Sequence, residues 1–292
     1  MPILIITRYF CIAHMFVLLL SGMSVLQAAE ASMTLWPQGA PGALGMAQKD
    51  IPTLTAYIPD QPTGSAMLLI PGGSYSGIFE GQAKPFAIWL NKQGITTFVL
   101  RYRLGSAGYR YPSQLQDAVE AMRHIRGNYE KWQIDTKRIG VMGFSAGGHL
   151  VSSLLTNPKD GDIESEDERS KISSRPDLAI LCYPVISMIT KPHKTSRKNL
   201  IGESPSDDLV RKTSSELQVK PGLPACFVWH TNEDKMVPPD HSLNFVTALR
   251  EFSVPCEFHL YQSGNHGTGL IGTKHPWLND LLFWLRGQKF IN

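Results

Sequence analysis

A serine set between glycines, Gly143-Phe144-Ser145-Ala146-Gly147, is the part of this sequence best suited to nucleophilic chemistry. It follows the apolar run Arg138 to Met142 and leads into a helical pattern from His149 to Leu155. A strand–turn–helix setting of this kind presents a serine hydroxyl on a sharp bend. The flanking glycines permit the bend, because a Cβ there would strike neighbouring backbone. The helix that follows directs its positive end at the serine, where negative charge would develop. The chemistry is acyl transfer, and it requires a base, an acid to orient the base, and donors for an oxyanion.

Candidates for all three lie in loops after other apolar runs. His266, in Gly264-Asn265-His266-Gly267, is the expected base. Asp234, after the run Cys226 to His230, is the expected acid; Glu233 is the alternative, but being one residue away it would point elsewhere. His230 and His259 fall inside strands and read as packed or edge residues. His149 should sit one helical turn below Ser145, too deep to act as base. Pro71-Gly72-Gly73-Ser74-Tyr75 offers the backbone N–H groups of Gly73 and Ser74, which would join that of Ala146 as oxyanion donors. A simple Pro-Gly turn is the competing reading of that segment.

The elements that must position these residues alternate. Thr53 to Ile58, Ala66 to Ile70, Ile95 to Leu100, Arg138 to Met142, Leu178 to Tyr183, Ala225 to His230 and Glu257 to Tyr261 read as strands. Several are continuously apolar, which marks strands covered on both faces. Between them, Leu115, Ala118, Val119, Met122 and Ile125 share a helical face, as do Phe245, Val246 and Leu249, and Leu278, Leu281, Leu282 and Leu285. The expectation is one α/β domain, a mostly parallel central sheet with helices on both faces. In such sheets, loops after the carboxyl ends of neighbouring strands converge, so Asp234 and His266 can reach Ser145.

Composition bounds the alternatives. Of 292 residues, 42% are hydrophobic and 18% charged, which excludes a disordered or fibrous chain. A net charge of +3, evenly spread, does not suggest a nucleic-acid partner. With four cysteines and no Cys-x-x-Cys pair, a zinc ribbon or disulfide scaffold is not expected. Residues 1–29 read as a signal peptide, with Arg8 ahead of the apolar run Met15 to Leu20 and small residues at Ala28, Ala29 and Ala31. His14, Ser21 and Gly22 interrupt the run, so cleavage is favoured over a membrane anchor, which needs roughly 18 or more apolar residues. Residues 30–292 would then form one catalytic domain that is secreted or periplasmic, not inserted in the membrane. Cys182, Cys226 and Cys256 remain and are expected to be free, Cys226 with Cys256 being the alternative pair.

Two stretches lack the strand–helix rhythm. Lys159 to Lys171 reads as a solvated charged loop. Asp160, Asp162 and Glu164 have the spacing of a calcium loop, but Ser165 stands where such a loop needs glycine. Ser187 to Val219 carries Lys191, His193, Lys194, Arg197 and Lys198, and is either a surface excursion or a cover over the substrate site.

From about Met33 onward the chain resembles esterases of the α/β-hydrolase fold related to acetylxylan esterases, particularly secreted bacterial members with a P-G-G-x-Y loop. The residues that carry the resemblance are Leu35-Trp36-Pro37, Asp50-Ile51-Pro52, Pro71-Gly72-Gly73, Glu80-Gly81 and Arg101-Tyr102-Arg103-Leu104. Gly143 to Leu150, Ser174 to Asp177, Trp229-His230-Thr231, Asp234 and Gly264 to Gly267 continue it. One departure is Ser74, where many relatives carry a third glycine; the backbone donor survives that change. The resemblance implies a serine esterase acting on short-chain (acetyl) esters of carbohydrate such as acetylated xylan, through Ser145, His266 and Asp234, without metal or organic cofactor. Alternatives are a feruloyl-type esterase, a serine exopeptidase of the prolyl-oligopeptidase kind, which usually carries a large extra domain, and a non-catalytic hydrolase-fold binding protein. Tyr75, Tyr109, Tyr111 and Trp277 either form a platform for sugar rings or fill the core. Glu80 either bonds substrate or caps a turn, and Arg103 is expected in a structural ion pair. The oligomeric state is open.

Overall fold

In the computed structural model, which describes residues 29–267 and 275–292, eight strands form one sheet in the order β1-β2-β4-β3-β5-β6-β7-β8. They are β1 (Ala29–Thr34), β2 (Thr53–Ile58), β3 (Ala66–Ile70), β4 (Thr96–Arg101), β5 (Ile139–Phe144), β6 (Leu178–Cys182), β7 (Ala225–Thr231) and β8 (Cys256–Tyr261). The pairs β1–β2 and β2–β4 are antiparallel, and every pairing from β4 to β8 is parallel. All seven expected strands are present, with ends shifted by no more than two residues. The eighth, β1, is not expected from the sequence. Its residues, Ala-Glu-Ala-Ser-Met-Thr, lack apolar alternation, and its backbone pairs with β2 along its whole length. The expected domain start at residue 30 falls inside it, while the expected signal peptide up to residue 28 lies outside the described residues.

Period-two alternation divides the core between the two faces of the sheet. On β3, Ala66, Leu68 and Ile70 pack on one side and Met67 and Leu69 on the other. The first side is covered by α2 (Ser113–Gly127), α4 (Ala146–Thr156) and α7 (Asp240–Glu251), whose apolar faces include the Leu115–Ile125 and Phe245–Leu249 patterns. The second is covered by α1 (Glu80–Asn91) and α8 (Trp277–Gly287) through Ala83, Phe86, Leu90, Leu281 and Leu285. A strand covered on both faces must be apolar at every position, which is why these runs are continuous. Helix α1 contains Pro85, exposed on its solvent side, and that proline hides the helix from a periodicity reading. A four-residue α3 (Tyr129–Trp132) lies before β5; α5 (Lys194–Ile201) and α6 (Asp207–Lys212) lie between β6 and β7.

Arg103 meets Asp117 at 2.8 Å with both side chains fully buried, in the ion pair expected of it. Its Nη1 also donates to the Pro41 carbonyl at 2.6 Å, and Asp117 accepts from Trp36 Nε1 at 3.0 Å, so both charges are satisfied by hydrogen bonds. Cys182, Cys226 and Cys256 are free thiols, although Cys226 and Cys256 are register partners on β7 and β8. Residues 159–171 form an exposed charged loop tied down through Arg169, which reaches Glu120 at 2.5 Å. Among the described residues no helix is long and apolar enough to cross a membrane.

Candidate active site

Ser145 occupies the bend between β5 and α4 with φ 54° and ψ −119°. That conformation is costly for a residue with a side chain, about 1–3 kcal/mol, and persists only where the surroundings dictate it. Here they do. A Cβ on Gly147 would lie 2.2 Å from the Ile70 carbonyl oxygen, and one on Gly143 would lie 2.5 Å from that of Gly147. Ser145 N–H donates to the Cys182 carbonyl, and Val185 N–H donates to the Ser145 carbonyl, both at 3.0 Å. The bend is thus held from β6 as well as by its own glycines.

The loops after β7 and β8 bring Asp234 and His266 to Ser145. Thr231 Oγ1 donates to the Gly264 carbonyl at 2.8 Å, and Gly264 N–H donates to Glu233 Oε2 at 3.2 Å, which fastens the two loops together. His266 Nε2 lies 2.7 Å from Ser145 Oγ, and His266 Nδ1 lies 2.6 Å from Asp234 Oδ2. An ionised carboxylate only accepts, so Nδ1 carries the proton and Nε2 accepts from the serine hydroxyl. Asp234 Oδ1 accepts from the Met236 and Val237 N–H groups, each at 3.0 Å. Glu233 is exposed and turned to Gly264, so of the two adjacent carboxylates it is Asp234 that meets the imidazole.

A second histidine supports the Asp234 carboxylate. His230 Nε2 donates to the Val237 carbonyl at 2.9 Å and to Asp234 Oδ2 at 3.2 Å, while its Nδ1 accepts from Ser242 Oγ at 2.8 Å. Burial acts to raise the Asp234 carboxyl, but the hydrogen bonds from His230 and His266, the charge of His266 and the Val237 N–H outweigh it. They hold the group well below the usual carboxylate range. His230 reads in sequence as a packed strand residue, and it is packed; its position four residues before Asp234 is the only local signal of this contact.

The glycine-rich loop after β3 lies against the serine. A Cβ on Gly72 would stand 3.2 Å from Ser145 Cβ, and Ser74 and Tyr75 both have positive φ, 56° and 57°. Among the described residues the N–H groups of Gly73, Ser74 and Ala146 have no hydrogen-bond partner. Tyr75 O–H donates to His149 Nδ1 at 2.7 Å, and His149 Nε2 donates to the Thr213 carbonyl at 2.8 Å. His149 is therefore a buried link between the glycine loop, helix α4 and the segment after α6. The expectation that it lies too deep to be the base agrees with this placement.

A family model described as BD-FAE matches residues 54–249, a span that includes Ser145 and Asp234 and ends before His266. The chain belongs to the BD-FAE family of α/β hydrolases. Acetylxylan esterase of Xylanibacter ruminicola is 34% identical over 244 residues, 80% of this chain and 48% of that protein. Endo-1,4-beta-xylanase B of Butyrivibrio fibrisolvens is 37% identical over 220 residues, 74% of this chain and 34% of that protein. This chain thus spans between a third and a half of the length of these two relatives. Among solved structures, the acetyl ester-xyloside bifunctional hydrolase from Caldicellulosiruptor lactoaceticus has a TM-score of 0.85 at 37% identity, covering 92% of this chain and 100% of that one.

In this BD-FAE member three expected substrate contacts prove to be interior residues. Tyr75 is fully buried and spends its hydroxyl on His149. Tyr109 is buried too; its hydroxyl donates to Asp50 Oδ1 at 2.6 Å and accepts from Leu44 N–H at 2.9 Å. Trp277 is fully buried and stacked on Trp229 with ring centroids 4.6 Å apart. The two tyrosines have ring and hydroxyl alike satisfied inside the protein, and Trp277 is withdrawn from solvent by burial and stacking, its Nε1 having no partner among the described residues. Tyr111 is half-buried and lines, with Trp36, Leu115 and Leu209, a cavity that none of Ser145, Asp234 and His266 lines. Glu80 is exposed in the first turn of α1, just beyond the glycine loop, and remains accessible from solvent.

The basic stretch Ser187 to Val219 folds onto the site. Asn199 Nδ2 of α5 donates to the Ser74 carbonyl at 2.9 Å. His193 caps α5, its Nδ1 accepting from Ser196 N–H, and is half-buried. Burial lowers its basicity, the charge of nearby His266 lowers it further, and Asp234 opposes both. Neither residue stands out in the sequence as a site group, because no local pattern distinguishes them from surface polar residues.

Two buried histidines make the fold acid-sensitive. Burial pushes His149 down to about 4, and also His241, which accepts Ile186 and Ser187 N–H groups at Nδ1. Against an ordinary value of about 6.5, each neutral ring contributes stability that is complete above pH 6.5 and lost as pH falls through about 4. The loss is about 3 kcal/mol per ring at pH 4. The melting temperature should therefore drop between pH 7 and pH 4, less steeply in His149→Gln. A flat wild-type profile would contradict the neutral assignment.

Proposed function

We propose that this chain is a serine esterase that removes short acyl groups, foremost acetyl, from carbohydrate esters such as acetylated xylan. The observation that carries the reading is the hydrogen-bonded sequence Ser145–His266–Asp234, at 2.7 and 2.6 Å, on a strained strand–helix bend. His266 takes the hydroxyl proton as Ser145 Oγ attacks the ester carbonyl, and Asp234 stabilises the imidazolium. The N–H groups of Gly73, Ser74 and Ala146 receive the oxyanion, and His266 returns the proton to the leaving alcohol. Water then attacks the acyl-serine by the same steps and releases the acid. No step calls for a metal or organic cofactor. Export is proposed as well, supported by the leader-like residues 1–29; recovery of the protein only from the cytoplasm, with Met1 intact, would overturn it.

The choice of a small acyl group follows from what stands over the site. A long alkyl chain gains about 0.8 kcal/mol per buried CH₂ and needs a continuous apolar cover to do so. Segment 187–219 turns Leu200, Ile201 and Val210 into the core and leaves Lys194 and Lys198 exposed. The names of the relatives point the same way. With matched leaving groups, kcat/KM should fall from acetate through butyrate to octanoate. Turnover rising toward octanoate would defeat the deacetylase reading. An aminoacyl-anilide assay run alongside p-nitrophenyl acetate separates esterase from exopeptidase.

A further inference from the structure

Ser74 and Tyr75 are consecutive side-chain-bearing residues with positive φ, at 56° and 57°, in the loop that faces Ser145. Glycine adopts such a conformation freely; serine and tyrosine adopt it only where neighbours hold them. For Tyr75 the hold is double. Its carbonyl accepts Gly105 N–H at 2.8 Å and its hydroxyl is bound to His149. For Ser74, among the described residues, the single hydrogen bond is the one its carbonyl accepts from Asn199 Nδ2 at 2.9 Å, across 125 positions of sequence.

Asn199 is itself firmly placed. Its carbonyl accepts from Arg110 Nη1 at 3.2 Å, and Gly105 lies so close that a Cβ there would be 2.1 Å from that oxygen. The next residue, Leu200, accepts Tyr111 N–H at 2.9 Å. A rigid donor therefore fixes the peptide plane on the far side of Ser74. The plane that carries the Ser74 N–H is held through the Gly73 carbonyl, which accepts Ser76 and Gly77 N–H at 2.9 and 3.1 Å and Ser76 Oγ at 2.9 Å. Ser74 thus keeps its positive φ between two anchored planes. The N–H of the same residue is one of the unpartnered groups beside Ser145.

We propose that Asn199 is a positioning residue for the oxyanion site: its amide locks Ser74 so that the Ser74 N–H stays aimed at the developing oxyanion. The proposal rests on the esterase reading given above, in which Ser74 is an oxyanion donor. It assigns a role in the reaction to a segment, residues 187–219, whose sequence reads as either a surface excursion or a cover over the substrate site. Losing a whole oxyanion donor typically costs about 10²- to 10³-fold in kcat, and a donor left in place but loosened should cost less.

The test compares Asn199→Ala and Asn199→Asp with wild type and with Ser145→Ala as the inactive reference. Asn199→Asp keeps the volume and removes the donor, so it serves if the alanine variant folds poorly. The expected result for both is a kcat for p-nitrophenyl acetate lowered about 10- to 100-fold, KM within about threefold, and a nearly unchanged melting temperature. The inhibition constant of a trifluoromethyl ketone, whose serine adduct carries the same oxyanion, should rise by the factor by which kcat falls. A structural role alone would move the melting temperature and leave that constant where it was. Wild-type kcat and inhibition in a folded variant would overturn the proposal while leaving the esterase reading intact. Failure of the wild type to turn over any ester would sink both.

Discussion

Ser145→Ala is expected to lower ester kcat by about 10⁴-fold or more, equivalent to about 5.5 kcal/mol of transition-state stabilisation. The argument is geometric. Ser145 Oγ is the only nucleophilic atom within hydrogen-bond reach of His266 Nε2 among the described residues, at 2.7 Å. Removing it leaves the base with nothing to activate but water. The loss stops short of the uncatalysed rate, because the unpartnered N–H groups of Gly73, Ser74 and Ala146 would still stabilise an oxyanion. Folding should be unaffected, since alanine keeps the Cβ and the backbone bonds to Cys182 and Val185. Wild-type turnover in a folded Ser145→Ala protein would remove the proposed mechanism altogether.

Asp234→Asn should be nearly as damaging, on the order of 10³-fold in kcat, for a reason visible in its hydrogen bonds. Oδ1 accepts from the Met236 and Val237 N–H groups, so the amide oxygen of an asparagine would stay on that side. Its NH₂ would then face His266 Nδ1 and His230 Nε2, where the carboxylate accepts. A donor at that place favours the His266 tautomer with its proton on Nε2, which cannot take the proton of Ser145. The loss is smaller than for Ser145→Ala because the imidazole can still reach the other tautomer at a cost. Glu233→Gln keeps an acceptor for Gly264 N–H and should leave kcat within about twofold of wild type. If Glu233→Gln collapsed activity while Asp234→Asn stayed active, the acid would have to be reassigned.

Both effects depend on how residues far apart in sequence are brought together, and the sequence discloses that unevenly. The strand–bend–helix around Ser145 is legible through its glycines: Gly143 is required by the Gly147 carbonyl within the motif, and Gly147 by the Ile70 carbonyl of the neighbouring β3. The strands themselves are nearly as legible, because a strand covered on both faces must be apolar throughout, whereas their order in the sheet comes from the structure. Strand β1 is not legible, since it joins the sheet through backbone hydrogen bonds at an edge and needs no apolar signature. Helix α1 is obscured by a proline that its exposed face tolerates.

Rings and polar side chains mark the limit of such reading. Tyr75, Tyr109 and Trp277 have the composition of a sugar platform, yet His149, Asp50 and Trp229 claim them for the interior. Sequence alone determined the α/β architecture, the serine on its bend, and the loops that carry a carboxylate and a histidine, because each is written in periodicity or in glycine placement within a few residues. Tertiary structure alone decided that His230 backs Asp234 and that Asn199 grips Ser74, and it places Asp234, the carboxylate expected from the sequence, rather than Glu233 against His266. Those choices rest on side-chain direction and on hydrogen bonds between distant segments, where a contact of 2.9 Å leaves no trace in local pattern.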